Sequence, residues 1–275
     1  MRDNRTKPAA TKPMLAAAVK AARSAGELMQ RNLHAAKKVT EAVQHDIKLE
    51  LDVRCQKRIG RLLLTAYPEI ALLGEEGVDG DPESHYRWVV DPIDGTVNYA
   101  YGIPHACVSI ALQARTRPDQ PTKNAPVDFQ TLIGVVYDPF REEMWTAMRG
   151  QPARLNGRTT RVSQRANLNE AVISLGFAKH EDGLRKMLPQ FQQLVPRVRK
   201  IRIMGSAALD LVYVASGRMD AYLEAGVRLW DIAAGGLIVE CAGGDFRWRL
   251  VSGGTLFQVV ASNGKLNRQL QNFFQ

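Results

Sequence analysis

The stretch Trp88-Val89-Val90-Asp91-Pro92-Ile93-Asp94-Gly95-Thr96-Val97-Asn98-Tyr99 decides how the rest of the chain is read. Its first three residues form an apolar, β-branched run of the kind found in buried strands. Pro92 fixes its own φ and holds Asp91 extended, so the chain turns as it leaves the strand. Asp94-Gly95 then supplies flexible turn backbone on which amides gather. Two carboxylates and a backbone carbonyl on one turn suit a hard cation such as Mg²⁺, which takes oxygen ligands in octahedral geometry. Asp-Pro and Asp-Gly are also ordinary turn pairs, and a lone Asp-x-x-Asp is a solvated loop in most settings. The company the stretch keeps has to decide.

Composition narrows the class. The chain has 275 residues, 45% hydrophobic and 24% charged, enough for a sizeable core in one large domain or two closely packed halves. No apolar run reaches the length of a membrane span, and the N-terminus lacks the order of a secretion signal. Cys55, Cys107 and Cys241 are odd in number and far apart. They fit neither a disulfide framework nor a zinc site, so each is expected to pack as a small apolar residue in a reducing cytoplasm. The net charge of +9 is the unusual bulk feature. Arg2, Arg5, Lys7 and Lys12 against Asp3 belong to residues 1–13, read as a flexible basic tail. Arg197, Arg199, Lys200 and Arg202 alternate with apolar residues, as in a strand with a solvated face. Their other reading is attraction of phosphorylated substrates or nucleic acid.

Pro13 suits the first turn of a helix carrying Leu15, Val19, Ala22, Gly26, Met29 and Leu33 on one face. A second helix places Leu51, Cys55, Ile59, Leu62 and Ala66 together and ends before Pro68. The charged run Asp46 to Asp52 leads into it, where acids act as caps and dipole partners. Ile70 to Leu73 is a short strand ending in Gly74-Glu75-Glu76-Gly77, either a turn or a carboxylate offered to a metal. Ala106 to Ala114, Thr131 to Tyr137 and Glu143 to Ala147 read as strands, with 115–130 an exposed loop. The second half alternates strand and helix. Strands are expected at Ala171 to Leu175, Lys200 to Met204, Met219 to Leu223 and Leu256 to Ala261. Helices are expected at Ser206 to Ser216, Trp230 to Cys241 and Lys265 to Phe274. No Walker loop, Gly-x-Ser-x-Gly or His-Glu-x-x-His motif occurs.

Gly74-Glu75-Glu76, Asp91-Pro92-Ile93-Asp94-Gly95-Thr96 and Trp230-Asp231-Ile232-Ala233-Ala234-Gly235 together closely resemble the inositol monophosphatase family, in its order and at about its spacing. The resemblance runs from about residue 14 to the end. It implies an α+β fold of layered αβαβα type, with an antiparallel first sheet, and a homodimer. Residues 14–160 would form an α+β half carrying most metal ligands, and 161–275 an α/β half that completes the site. Carried over, Glu75, Asp91 and the Ile93 carbonyl would hold one Mg²⁺. Asp91, Asp94 and Asp231 would hold a second, and Li⁺ would inhibit. Asp52 and Thr96 would orient the attacking water beside Glu75, while Asp94, Gly95, Thr96 and Asp231 would meet the phosphate. Glu224, seven residues before Asp231, matches the family acid that binds sugar hydroxyls; its other reading is a solvent-facing acid at a strand end. Gly205-Ser206-Ala207-Ala208 matches the backbone that contacts inositol.

One segment departs from the family pattern: Lys48-Leu49-Glu50-Leu51-Asp52 carries Leu49 where a threonine is usual, and its Lys-Leu pair is similar to fructose-1,6-bisphosphatases. Glu50 is either a ligand of a third, weak cation or a surface helix acid. The leading expectation is a Mg²⁺-dependent phosphomonoesterase for inositol 1-phosphate or a similar polyol phosphate. Fructose 1,6-bisphosphate, histidinol phosphate and 3′-phosphoadenosine 5′-phosphate are alternative substrates. Some bacterial members of the family act with RNA polymerase, so a binding role is the alternative of another class. No RNA-binding motif is present and the carboxylates are retained, which ranks nucleic acid below a small phosphate ester as partner.

Overall fold

The computed structural model describes residues 11–43, 46–116, 129–177, 181–251 and 255–271. In chain order, α1 (Lys12–Asn32) is followed by a hairpin of β1 (Val39–Val43) and β2 (Asp46–Leu49), then by α2 (Glu50–Ala66). Next come β3 (Ala71–Gly74), β4 (Gly77–Asp79), β5 (Tyr86–Asp94), α3 (Thr96–Ala100) and β6 (Cys107–Arg115). β7 (Phe129–Asp138), β8 (Glu143–Met148), β9 (Arg154–Leu155) and β10 (Arg158–Thr159) complete the first half. The second half holds β11 (Val172–Leu175), α4 (Glu181–Leu194), β12 (Lys200–Arg202), α5 (Ala207–Ala215) and β13 (Ala221–Val227). It closes with α6 (Leu229–Cys241), β14 (Asp245–Leu250), β15 (Phe257–Ser262) and α7 (Asn267–Leu270).

Side-chain alternation in β5 sets the layering. Trp88 and Val90 point to one side and Val89 to the other, and all three are buried, so both faces of the strand are covered. On the Trp88 side, Ile110, Ile133 and Val135 join Ala18, Ala22 and Met29 of α1 and Cys55, Ile59 and Leu63 of α2 in one core. On the Val89 side, Ala111, Val136 and Trp145 meet α5 and α6, whose far side packs on Tyr222, Val259 and Ala261 of the second sheet. The outer face of that sheet, with Ile173, Leu223 and Val260, is covered by Met187 and Leu194 of α4 and by Leu266 and Leu270. The succession is helix, sheet, helix, sheet, helix, the expected αβαβα order.

The first sheet runs β10-β9-β8-β7-β6-β5-β3-β4 and the second β12-β11-β13-β15-β14. The first is antiparallel except for β3 and β5, which pair in parallel because β4 folds back along the far edge of β3. The second mixes parallel pairs about β11 with antiparallel pairs about β15.

Several local expectations shift. Thr11 caps α1, which takes in Lys12 and Pro13 of the expected tail; residues 1–10 lie outside the described residues. The buried face of α1 is mostly Ala18, Ala21, Ala22, Ala25 and Gly26, with Leu15, Val19 and Leu33 only half-buried. Small residues win there because the helix sits close: a Cβ on Gly26 would meet the Tyr137 ring at 2.5 Å. Leu63 rather than Leu62 or Ala66 ends the buried face of α2. The charged run before α2 is strand β2, and α4 has no counterpart in the sequence reading. α7 is a single turn within the expected 265–274 helix, of which 272–274 lie outside the described residues, as does most of the 115–130 loop. Lys200 and Arg202 are exposed on β12 while Ile201 packs inward, as in a strand with a solvated face; Arg197 and Arg199 are exposed in the turn before it.

α6 is apolar all round and buried from Ile232 to Val239, as a helix between two sheets must be. Its seat on the first sheet depends on Gly134, where a Cβ would stand 2.6 Å from the Ala234 carbonyl oxygen. Gly134→Ala is therefore expected to lower unfolding stability by about 1–3 kcal/mol through overpacking. Urea denaturation followed by circular dichroism reads this, and an unchanged midpoint would rule out the close approach.

Candidate active site

β5 delivers Asp91 and Asp94 to one end of the first sheet. Asp91 lies opposite Ser109 of β6, after which the register slips before Asp94 pairs with Cys107. That irregularity is the turn imposed by Pro92. Asp91 accepts from the Ile93 amide at 3.0 Å, bending the chain over its own carboxylate. Thr96 donates its hydroxyl to the Ile93 carbonyl at 2.8 Å. Gly95 caps α3 at φ +92°, and a Cβ there would stand 2.9 Å from the His105 carbonyl oxygen, so both conformation and space require glycine.

Asp94 is held from the other half of the chain. Its Oδ2 accepts from the Ser206 hydroxyl at 2.6 Å and from the Ala208 amide at 2.7 Å, at the start of α5. Cys107 lies behind it with its thiol 3.9 Å from the same oxygen. Asp231 sits in the first turn of α6 and reaches back to the Arg228 amide at 2.7 Å. Asp52 does the same in α2, accepting from the Leu49 amide at 2.7 Å. Both are cap interactions at positive helix ends, as the sequence reading allowed. The Ser109 hydroxyl donates to the Trp230 carbonyl at 3.1 Å and so ties the start of α6 to the strand beside Asp91.

Glu75 and Glu76 form the turn between β3 and β4. Glu75 donates its amide to the Val90 carbonyl at 3.2 Å, one residue before Asp91. Gln56 of α2 clamps the turn, accepting from the Glu76 amide at 2.9 Å and donating to the Gly77 carbonyl at 3.1 Å.

The result is a concentration of negative charge. Asp52, Asp91 and Asp94 are buried. Burial, reinforced by Glu75, Asp94, Asp231 and Asp52, pushes the Asp91 carboxyl well above the usual carboxylate range. Burial, then Asp94, Glu75 and Glu224, raises Asp231 likewise, against the bond from Arg228. Among the described residues no Lys or Arg forms an ion pair with Asp91 or Asp231, and no three His, Cys, Asp or Glu side chains already form one metal shell. Oxygen-only donors that repel one another across a shared space fit a hard divalent cation. Glu50 is apart from this group, on the surface with Lys38 at 2.6 Å.

Glu224 faces the same region, at a distance over which its charge raises Asp231. The Gly205-Ser206-Ala207 segment borders it, but the Ser206 side chain is buried and committed to Asp94. Asn98 fixes that segment by donating to the Met204 carbonyl at 2.8 Å and to the His105 carbonyl at 3.0 Å. Asn98, Gln56 and Ser109 have structural roles at the site that the sequence reading did not assign. Only Asn98 lay within the motif stretch, and its partner is more than a hundred residues away.

The comparisons agree with this architecture. The family model for the inositol monophosphatase family matches residues 10–249. A Nus factor SuhB from Pseudomonas aeruginosa is 42% identical over 240 residues, 84% of each chain. The crystal structure of extragenic suppressor protein SuhB from Bartonella henselae superposes with a TM-score of 0.85 at 32% identity, covering 96% of this chain and 99% of that one. An inositol monophosphatase from Anabaena gives 0.78 at 30% identity, covering 96% and 95%. With the family motifs and the αβαβα layers both present, the chain belongs to the inositol monophosphatase family.

Proposed function

We propose that the protein is a Mg²⁺-dependent phosphomonoesterase that hydrolyses inositol 1-phosphate or a similar polyol monophosphate. The observation that carries the reading is buried Asp91 facing Glu75, Asp94 and Asp231 with no Lys or Arg among the described residues paired to it. Glu75, Asp91 and the Ile93 carbonyl would hold one ion, and Asp91, Asp94 and Asp231 a second. Bound there, Mg²⁺ supplies a water of lowered pKa and neutralises charge on the phosphate and the departing alkoxide. The chain's own residues do the rest. Asp52 and Thr96 orient the water, and the Gly95 and Thr96 amides at the start of α3 receive phosphate oxygens. Glu224 accepts from a substrate hydroxyl, and Gly205 to Ala207 border the ring. A cytoplasmic homodimer belongs to the same reading; no helix among the described residues is long and apolar enough to cross a membrane.

A second reading has its own support, because the Pseudomonas aeruginosa relative is named a Nus factor and this chain carries a net charge of +9. In that role the protein docks to RNA or RNA polymerase through charge. RNA binding that survives Asp94→Asn and weakens steeply with salt would support it; absence of binding at low salt dismisses it.

Phosphate release is to be measured with inositol 1-phosphate, fructose 1,6-bisphosphate, histidinol phosphate and 3′-phosphoadenosine 5′-phosphate. Asp94→Asn and Asp231→Asn are each expected to lower kcat by roughly a thousandfold or more with unchanged circular dichroism, since each removes charge from the centre that stabilises the transition state. Near-normal turnover by either variant would refute its assignment. Metal binding is read separately by melting. Mg²⁺ at about 100 times its dissociation constant should stabilise the wild type by about 2.7 kcal/mol per site. Asp91→Asn should lose that response; a melting curve indifferent to Mg²⁺ in the wild type sinks the cation assignment.

A further inference from the structure

We propose that Tyr222 is a positioning residue that sets where Glu224 presents its carboxylate, and so governs selection of hydroxyl-bearing phosphate esters over bare ones. The proposal rests on the reading of Glu224 as the acid that binds the polyol. The two residues are two apart on β13 and share its inner face, turned toward the α5 and α6 layer. Tyr222 is fully buried, and its hydroxyl donates to Glu224 Oε2. Burial, and then the charge of Glu224, drives the Tyr222 phenol far above its ordinary range, so the hydroxyl keeps its proton and remains a donor.

A second contact confines Glu224 from the neighbouring strand. Ser174 and Leu175 of β11 pair with Tyr222 and Leu223, so the next residue, Gly176, lies beside Glu224. The Gly176 amide donates to the Leu223 carbonyl at 2.9 Å. A Cβ on Gly176 would fall 1.7 Å from Glu224 Oε2 and 2.0 Å from its carboxyl carbon. The Glu224 carboxylate therefore lies in the space a side chain at 176 would fill. Gly176 is not in the left-handed region, so glycine is needed there for room and not for backbone conformation.

Charge explains why the donor matters. Asp210 of α5 and Asp231 of α6 both lie close enough to Glu224 for its charge to act on them. One Asp210 oxygen, Oδ1, is buried with no hydrogen-bond partner. The Tyr222 hydroxyl holds Glu224 in the rotamer it occupies through a charge-assisted bond, in the space that Gly176 leaves open. Without it, the carboxylate swings away while Asp91, Asp94 and Asp231 stay where they are.

The experiment measures KM and kcat for inositol 1-phosphate and for p-nitrophenyl phosphate, which offers no ring hydroxyl. Wild type, Tyr222→Phe, Glu224→Gln and the double variant are compared at saturating Mg²⁺. Tyr222→Phe is expected to raise the ratio of the two KM values roughly tenfold, the loss of one hydrogen bond to a charged group, with kcat for both esters within about twofold. Added to Glu224→Gln it should have a smaller effect than alone, because the bond it then removes is a neutral one of roughly half the strength. Gly176→Ala, which displaces Glu224 from the other side, should raise the same ratio. An equal rise for both esters, or full additivity of the two substitutions, overturns the proposal and leaves Tyr222 a packing residue. Wild-type turnover of both esters with no change in the ratio for either Tyr222→Phe or Gly176→Ala overturns it alone. Failure of the wild type to turn over any ester removes the phosphatase reading, and this proposal with it.

Discussion

Mutual repulsion among buried and half-buried carboxylates is the constraint around which the molecule is built. Asp52, Asp94, Asp231 and Glu75 all bear on Asp91, and burial alone would drive a carboxyl there to neutrality. The fold holds them by anchoring one oxygen of each aspartate to a backbone amide. Leu49 serves Asp52, Ile93 serves Asp91, Ala208 serves Asp94 and Arg228 serves Asp231. Three of those anchors are local, set by turns and helix starts within three residues. The Asp94 anchor comes from another layer, which makes that aspartate both a site residue and a tie between the two halves of the chain.

That tie requires the inner helices to be placed accurately. α5 offers the Ser206 cap and the Ala208 amide to Asp94, and α6 carries Asp231 in its first turn. Neither helix touches solvent enough to be steered by an amphipathic face. Their positions come from packing: Gly134 lets α6 approach the first sheet, Gly235 and Gly236 admit Leu211 and Phe246, and Ser109 bonds to the Trp230 carbonyl. Core packing of this density transmits small changes in volume, so the geometry of the acids is coupled to apolar contacts far along α6.

The region around Glu224, the proposed substrate side, is organised differently. Glu224 belongs to β13, whose outer face packs under α4 and whose inner face carries Tyr222 and Glu224 toward the site. Strand alternation puts these two polar groups on one side and Leu223 and Ala225 on the other. A rigid strand thus presents the acid, and Gly176 clears the space for it. On the proposed reading of Glu224, selectivity would reside in side chains separate from the four aspartates and could vary without disturbing them.

The sequence by itself determined the strand–turn stretch at Trp88 to Tyr99 and the motif order that shows the family, and the resemblance to that family supplied the layered α+β class and the candidate acids. These are local matters: β-branched runs, the fixed φ of Pro92, a glycine obliged to take φ +92° and motif order along the chain. It also gave the β11, α5 and α6 segments to within a residue or two. It did not foretell the β1–β2 hairpin, where charged residues mask a strand, nor α4. The α1 face was legible in part: Ala22, Gly26 and Met29 are buried as expected, while Ala18, Ala21 and Ala25 take the places expected of Leu15, Val19 and Leu33, because close packing on Tyr137 selects small residues. The Gln56 clamp, the Asn98 and Ser109 ties, the Ser206–Asp94 bond and the Tyr222–Glu224–Gly176 arrangement were decided by tertiary structure alone. Most of these join residues twenty to more than a hundred positions apart, and Tyr222 and Glu224 are matched to Gly176 only by strand register, which two residues in the chain cannot specify by themselves.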